Sequence, residues 1–146
     1  MNKTISIVLL SFIFLIGCSR VIPKLGISRN KLMSCPETPN CVSSQATDKK
    51  HFIKPIHFIG TDQDAQDRLL KILESWKRAK ITVVQKNYIR AEFSSKIFRF
   101  VDDVEFYFPS TKIEKTIIYF RSASRIGYSD LGANRARIEQ IKHQLK

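Results

Sequence analysis

The chain has 146 residues, 43% of them hydrophobic and 26% charged, a balance that suits one compact domain and excludes disordered and collagen-like classes. Its 25 Lys and Arg against 13 Asp and Glu leave a formal net charge of +12. That surplus favours partners carrying phosphate, carboxylate or other negative charge, without naming one.

Lys3 is followed by an apolar run from Ile5 to Ile16 that is too short to cross a bilayer as a stable helix and reads as a secretory signal. The run ends in Leu15-Ile16-Gly17-Cys18, which resembles the bacterial lipobox. The resemblance implies a signal peptide over residues 1–17, acylation of Cys18 (palmitate included) as the first mature residue, and an envelope lipoprotein. With Ser19 rather than Asp next, it further implies the outer membrane, facing the periplasm. An ordinary signal peptide or an uncleaved anchor with a chance cysteine is the alternative. Cleavage removes only Lys3 among the charged residues, so the exported part keeps +11 of the +12. At that address the expected partners are the membrane itself and anionic lipid or cell-wall polymer, and nucleic acid is not expected.

Residues 18–34 show no period, are interrupted by Pro23 and Gly26, and contain no acidic residue. They read as a basic tether, either lying against an anionic membrane through Arg20, Lys24, Arg29 and Lys31 or solvated as a linker. A single domain is expected over 35–146. It begins with Cys35-Pro-Glu-Thr-Pro-Asn-Cys41-Val-Ser-Ser. With Cys18 assigned to lipid, two cysteines remain in an oxidising compartment, and a Cys35–Cys41 disulfide is the natural inference. Such a short loop is worth about 2 kcal/mol in the chain-entropy model. The spacing is neither the C-x-x-C of thiol oxidoreductases nor a recurrent zinc pattern, and Ser43 and Ser44 lack a nucleophile-elbow context.

Residues 51–59 look extended, with Pro55 confining them to a sheet edge or bulge. Gly60-Thr61 closes that element. Thr61 with Asp64 makes a helix N-cap, and Ala65, Leu69, Ile72, Leu73 and Trp76 recur at helical spacing. Two strands follow at Ile81–Val84 and Tyr88–Phe93, joined by residues 85–87, with Ile89, Ala91 and Phe93 on one face. A longer strand from Ile97 to Phe108 puts Phe98, Phe100, Val104, Phe106 and Phe108 on one face, and Asp102 falls among them. A carboxylate there needs a bulge or a partner. The next strand, 112–121, pairs back. A four-residue loop sets Asp102 opposite Tyr119 and diagonal to Arg121, and a three-residue loop sets it opposite Ile118. The first register supplies donors and is preferred.

The last segment, Arg121-Ser-Ala-Ser-Arg125-Ile-Gly-Tyr-Ser-Asp130-Leu-Gly-Ala-Asn134-Arg135-Ala-Arg137, leaves a strand and enters a helix that Ser129 or Asp130 caps. Leu131, Ile138, Ile141 and Leu145 form the helix's apolar side. Arg137 is read as solvated. The order of elements predicts an α+β domain, an antiparallel sheet of about four to five strands with two helices packed on one face.

Three motifs, Cys35-Pro-x-x-Pro-Asn-Cys41-Val-Ser-Ser, Phe100-Val-Asp-Asp-Val-Glu105-Phe and Arg121-Ser-x-Ser-Arg-x-Gly-x-Ser-Asp130-x-Gly-x-Asn-Arg135, together resemble domain-of-unknown-function family 1499 from about Cys35 to the C-terminus. The resemblance implies no reaction and no catalytic residue. Bacterial members are often exported or membrane-attached, in keeping with the lipobox.

From the residues themselves, the first functional expectation is a non-enzymatic envelope module binding an anionic group through Arg121, Ser122, Ser124, Arg125 and Arg135 near a helix start, with Arg121 and Arg125 at the rim of a cleft under the last helix. The structural counterpart is that these arginines pair with Asp102, Asp103 and Asp130. An enzyme using Asp102 or Asp130 as acid or base, with Arg121 as stabiliser, is the second reading. Its weakness is that His51, His57 and His143 are scattered and form no catalytic grouping. A carrier with an apolar cavity beneath the last helix is the third. No cofactor is expected. Asp102, Asp103 and Glu105 read as paired rather than metal-binding, because they lack the spacing of a cation loop.

Overall fold

A computed structural model describes residues 24–110 and 115–146. The proposed signal peptide, Cys18 and the start of the fifth predicted strand lie outside them. The elements run β1 (Cys41–Ser43), β2 (Ile56–Ile59), α1 (Asp62–Ser75), β3 (Ala79–Gln85), β4 (Tyr88–Ser94), β5 (Val101–Tyr107), β6 (Lys115–Ser124) and α2 (Ala133–Leu145). They form one antiparallel six-stranded sheet in the order β1-β6-β5-β4-β3, with β2 also on β6, covered by both helices on one face. The α+β class is as expected, with one strand more than the upper estimate.

That strand is β1. At three residues it is too short to show a period. It pairs with Arg121 to Ala123 of β6, while β2 pairs with Lys115 to Ile118 farther along the same edge. Ser44 fills the gap: its Oγ accepts from Phe120 N at 2.9 Å and its N–H donates to Phe120 O at 3.0 Å. Cys35 and Cys41 are disulfide-bonded immediately before β1. Pro55 ends just ahead of β2, which is an edge strand as a proline requires.

Gly60 closes β2 at φ +137, a conformation glycine alone adopts freely, and an added Cβ would stand 2.7 Å from the Phe58 ring. Thr61 then caps α1: its Oγ1 accepts from Asp64 N at 3.1 Å, and Asp64 accepts in return from Thr61 N. Thr61→Ala is expected to cost about 1 kcal/mol in urea denaturation. α1 buries Ala65, Leu69 and Leu73, with Ile72 and Trp76 partly buried against the same core. Trp76 meets Phe93 edge-on at 5.4 Å. Across from it, α2 buries Ile138, Ile141 and Leu145. Phe106, Phe108, Phe120, Ile89 and Ile118 fill the space between helices and sheet, where the carrier reading needs a cavity.

Three expectations are corrected. Leu131 is not on the apolar side of α2: the helix starts at Ala133, and Leu131 lies before it, 96% exposed. Phe98 and Phe100 precede β5 and are exposed rather than in the core. The β5–β6 register is different again, with Asp102 opposite Ser124, Glu105 opposite Arg121 and Tyr107 opposite Tyr119. β6 is longer than β5, and its first residues run past the end of β5 to serve β2. The connection is therefore much longer than the tight loop both sequence registers assumed.

The stretch expected as a tether also belongs to the fold from Gly26 on. Gly26 N donates to Glu105 Oε1 at 2.9 Å, Ser28 and Lys31 close a turn, and Ile27 and Leu32 pack with Tyr88, Tyr107 and Tyr119 on the face opposite the helices.

Candidate functional site

Four of the five predicted anion-binding residues fall within Arg121 to Arg125, and Arg121 to Ser124 belong to strand β6 rather than to a loop. Period-two alternation therefore divides them. Ser122 and Ser124 point toward α2, whereas Arg121 points to the opposite face, where Arg125 also lies against Asp103. No single ligand group can meet all four, and neither arginine stands under the terminal helix. Each half instead closes a separate polar network.

On the helix face the centre is Asn134, fully buried in the first turn of α2. Its Oδ1 accepts from Ser122 Oγ and from Arg137 Nη1 at 2.7 Å, and its Nδ2 donates to Asn40 O, Ser124 Oγ and Asp130 Oδ2. Arg137, read as solvated, is the partner Asp102 requires: Nη2 meets Asp102 Oδ2 at 2.6 Å, and the guanidinium lies 4.7 Å from the centroid of Phe93. The reason is the i, i+3 relation, which sets Arg137 about 60° around the helix from Asn134 rather than on the far side. Asp102 keeps its place on the phenylalanine face without a bulge. Among the described residues Asp130 pairs with no arginine. Its carboxylate accepts from Gly132 N and Asn134 N, so the helix N-terminus that was expected to hold an external anion is filled by the chain's own.

On the opposite face, Asp103 is 1% exposed and sits between two guanidiniums. Arg125 Nε reaches Oδ2 at 2.7 Å and Arg90 Nη2 reaches Oδ1 at 2.6 Å, while Arg125 also meets Glu92. Burial, the largest single influence, pushes the Asp103 carboxyl up. The hydrogen bonds and charges of Arg125 and Arg90 together outweigh it and hold the group below the ordinary carboxylate range. Hydrogen bonding to Asp103, opposed by burial and aided by Glu92, raises Arg125 further above its already high value. Glu105, entirely buried, accepts from Tyr88 Oη at 2.8 Å, from Gly26 N, and from Arg121 Nη1 at 3.4 Å. Burial first, then the adjacent Glu105, pushes the Tyr88 phenol far up, so it stays a donor. Arg121 Nε is the one buried side-chain polar atom among the described residues without a partner.

Arg135 stands apart, bridging Phe52 O and Lys50 O at 3.1 and 3.0 Å and pinning the loop after β1. The acid–base reading needed Asp102 or Asp130 beside Arg121, and Arg121 instead faces Glu105 on the other side of the sheet. Asp102 and Ser122 meet through Arg137, and Arg125 is across the sheet. Among the described residues no group of three or more His, Cys, Asp or Glu side chains is arranged to hold a metal ion.

Sequence reasoning missed Asn40, Arg90, Glu92 and Arg137. Arg137 was legible from helical spacing. Arg90 and Glu92 were legible as the polar alternates of Ile89, Ala91 and Phe93. Asn40 acts mainly through its backbone, accepting from Ser124 N and Asn134 Nδ2 and donating from Nδ2 to Gly127 O, which no pattern announces.

The three motifs thus converge on β1, β5, β6 and the start of α2. A protein-family model, "Protein of unknown function (DUF1499)", matches residues 31–145. The chain belongs to the DUF1499 family. The match begins before Cys35 and takes in Leu32, consistent with the docking of that segment on the sheet. No functionally curated protein matches the chain. In this DUF1499 chain Arg121 pairs with Glu105 and Arg125 with Asp103 inside the fold, whereas Arg135 donates to backbone carbonyls and Asp130 accepts from backbone amides.

Proposed function

We propose that the chain is a non-enzymatic envelope lipoprotein module, acylated at Cys18, that binds an anionic envelope component through its outer basic surface rather than through the motif arginines. One observation carries this reading. Asp102, Asp103, Glu105 and Glu92 are matched inside the fold by Arg137, Arg125, Arg90 and Arg121, four charges against four. The whole formal surplus, +11 of the chain's +12 once Lys3 is removed with the signal peptide, therefore belongs to the residues outside these networks. Lys49, Lys50, Lys54, Lys71, Lys77, Arg78 and Lys80 are all exposed. Such a surface attracts anionic lipid or acidic polymer, with an affinity that falls as salt rises.

Binding to vesicles rich in phosphatidylglycerol and to acidic cell-wall polymer, each at low and high salt, tests it. Affinity is expected to be several-fold higher than for neutral vesicles, to fall with salt, and to weaken on Lys49→Gln with Lys50→Gln and Lys54→Gln. Equal affinity for neutral and anionic targets sinks the reading. Mass spectrometry of the purified protein, read for acyl chains on the peptide beginning at Cys18, tests the anchor.

A further inference from the structure

One end of the sheet carries large apolar side chains that the fold leaves unused. Ser95 closes the β4–β5 connection: its N–H donates to Phe100 O at 2.8 Å and its Oγ accepts from Phe100 N at 2.9 Å. Lys96, Ile97, Phe98 and Arg99 form the tip, with Arg99 left-handed at φ 55. Ile97 is 78% and Phe98 73% exposed, and Phe98 stacks on Phe100 at 5.4 Å. The β6–α2 loop rises beside it. Arg125 N donates to Val101 O at 3.0 Å, extending the β5–β6 ladder and bringing Ile126 level with Phe100. That loop exposes Ile126, Tyr128 and the left-handed Leu131.

The chemistry around the patch selects one occupant. Lys96 and Arg99 lie within the tip, and Lys77 and Arg78 lead into β3 at the same end, where Arg78 O accepts from Ser94 N. The one acid of the two loops, Asp130, has its carboxylate engaged by α2. Aromatic and aliphatic side chains rimmed by cations, with no outward acid among them, match the boundary between lipid phosphates and acyl chains. The placement fits too. Glu105, which holds Gly26, lies four residues along β5 from Val101, about 13 Å. Cys18 is six residues before Lys24, a reach of at most about 20 Å. A lipid on Cys18 and the loop tip can therefore meet one membrane.

We infer that residues 95–100 and 125–132 form a membrane-seating tip, which inserts Ile97, Phe98, Tyr128 and Leu131 into the interface of an anionic bilayer while Lys96 and Arg99 engage lipid phosphates. The inference rests on the reading that the chain is anchored to an envelope membrane through Cys18.

The test uses the full acylated chain with Phe98→Cys carrying the polarity-sensitive fluorophore NBD, the native cysteines being blocked by lipid and disulfide. Lys86→Cys, in the turn at the opposite end of the sheet, carries the same label as control. In vesicles of phosphatidylglycerol and phosphatidylethanolamine, emission at position 98 is expected to rise at least about twofold and shift blue. Emission at position 86 should stay unchanged, and Lys96→Ser with Arg99→Ser should reduce the rise. Flotation reads the anchor separately. Protein that floats while position 98 stays aqueous overturns the tip alone, and protein that does not float overturns anchor and tip together. An equal rise at position 86, or a blue shift at 98 without vesicles that grows with protein concentration, assigns the signal to nonspecific burial or to a second copy and overturns the tip.

Discussion

Asp103→Ala is expected to lower stability by about 3–5 kcal/mol, the range for removing one side of a buried ion pair. Two guanidiniums, Arg90 and Arg125, converge on this carboxylate, with their side chains only 12% and 10% exposed. Without it they are left facing each other, with Glu92 as the remaining acid. The same group predicts an acid limb. Its folded-state pKa lies below the ordinary 3.8, so the stability it supplies is complete well above that value and is lost as pH falls from there through the folded pKa. The urea midpoint should hold through neutral and mildly acidic pH and drop below about pH 4. Asp103→Asn should start lower at neutral pH and show a shallower acid limb. An unchanged midpoint in Asp103→Ala at pH 7 would show the pair to be energetically idle.

Asn134→Ala is expected to cost about 3 kcal/mol, because it strips partners from the Ser122 hydroxyl, the Asn40 carbonyl and one Arg137 nitrogen in a sealed volume. Asn134→Asp, nearly the same shape, should be no better. It keeps the acceptor oxygen but loses the donors, and it places a second carboxylate where Nδ2 now meets Asp130 at 2.8 Å. Chemical denaturation should show a lower midpoint with an unchanged slope. Leu131→Ser, at a solvent-exposed site in the adjacent loop, should stay within about 0.5 kcal/mol of the parent. If Asn134→Ala is as mild as Leu131→Ser, the network is not what holds α2 to the sheet.

Local signals carried most of the architecture. The Thr61–Asp64 cap, the α1 stripe and the Ile89–Ala91–Phe93 face each rest on neighbours within a few residues, and the structure has all of them. What misled was long-range. The β5–β6 register depends on how far β6 overshoots to reach β2, which no local pattern encodes. The site was misjudged by the same route: Arg121 to Ser124, read as a connection, looked like one donor cluster, and as a strand it is two half-clusters back to back. The question whether Asp102 needed a partner was legible, because alternation placed it among phenylalanines. Its answer required that Arg137 be counted on the same side of α2 as Asn134.

The docking of residues 26–32 has a mechanical consequence. Any pull on the chain ahead of Lys24 arrives first at this strap, which is held by the Gly26–Glu105 bond, by Gln45 accepting from Leu32 N at 2.8 Å and by the packing of Ile27 and Leu32. These are few compared with the ladders of the sheet, so the strap peels before any strand yields. Released, residues 26–34 add about 30 Å of extended chain, and the Cys35–Cys41 bond then passes the load directly to the start of β1 without letting residues 36–40 extend. The distance between the chain ahead of Lys24 and the sheet is thus adjustable by load, with the sheet left intact.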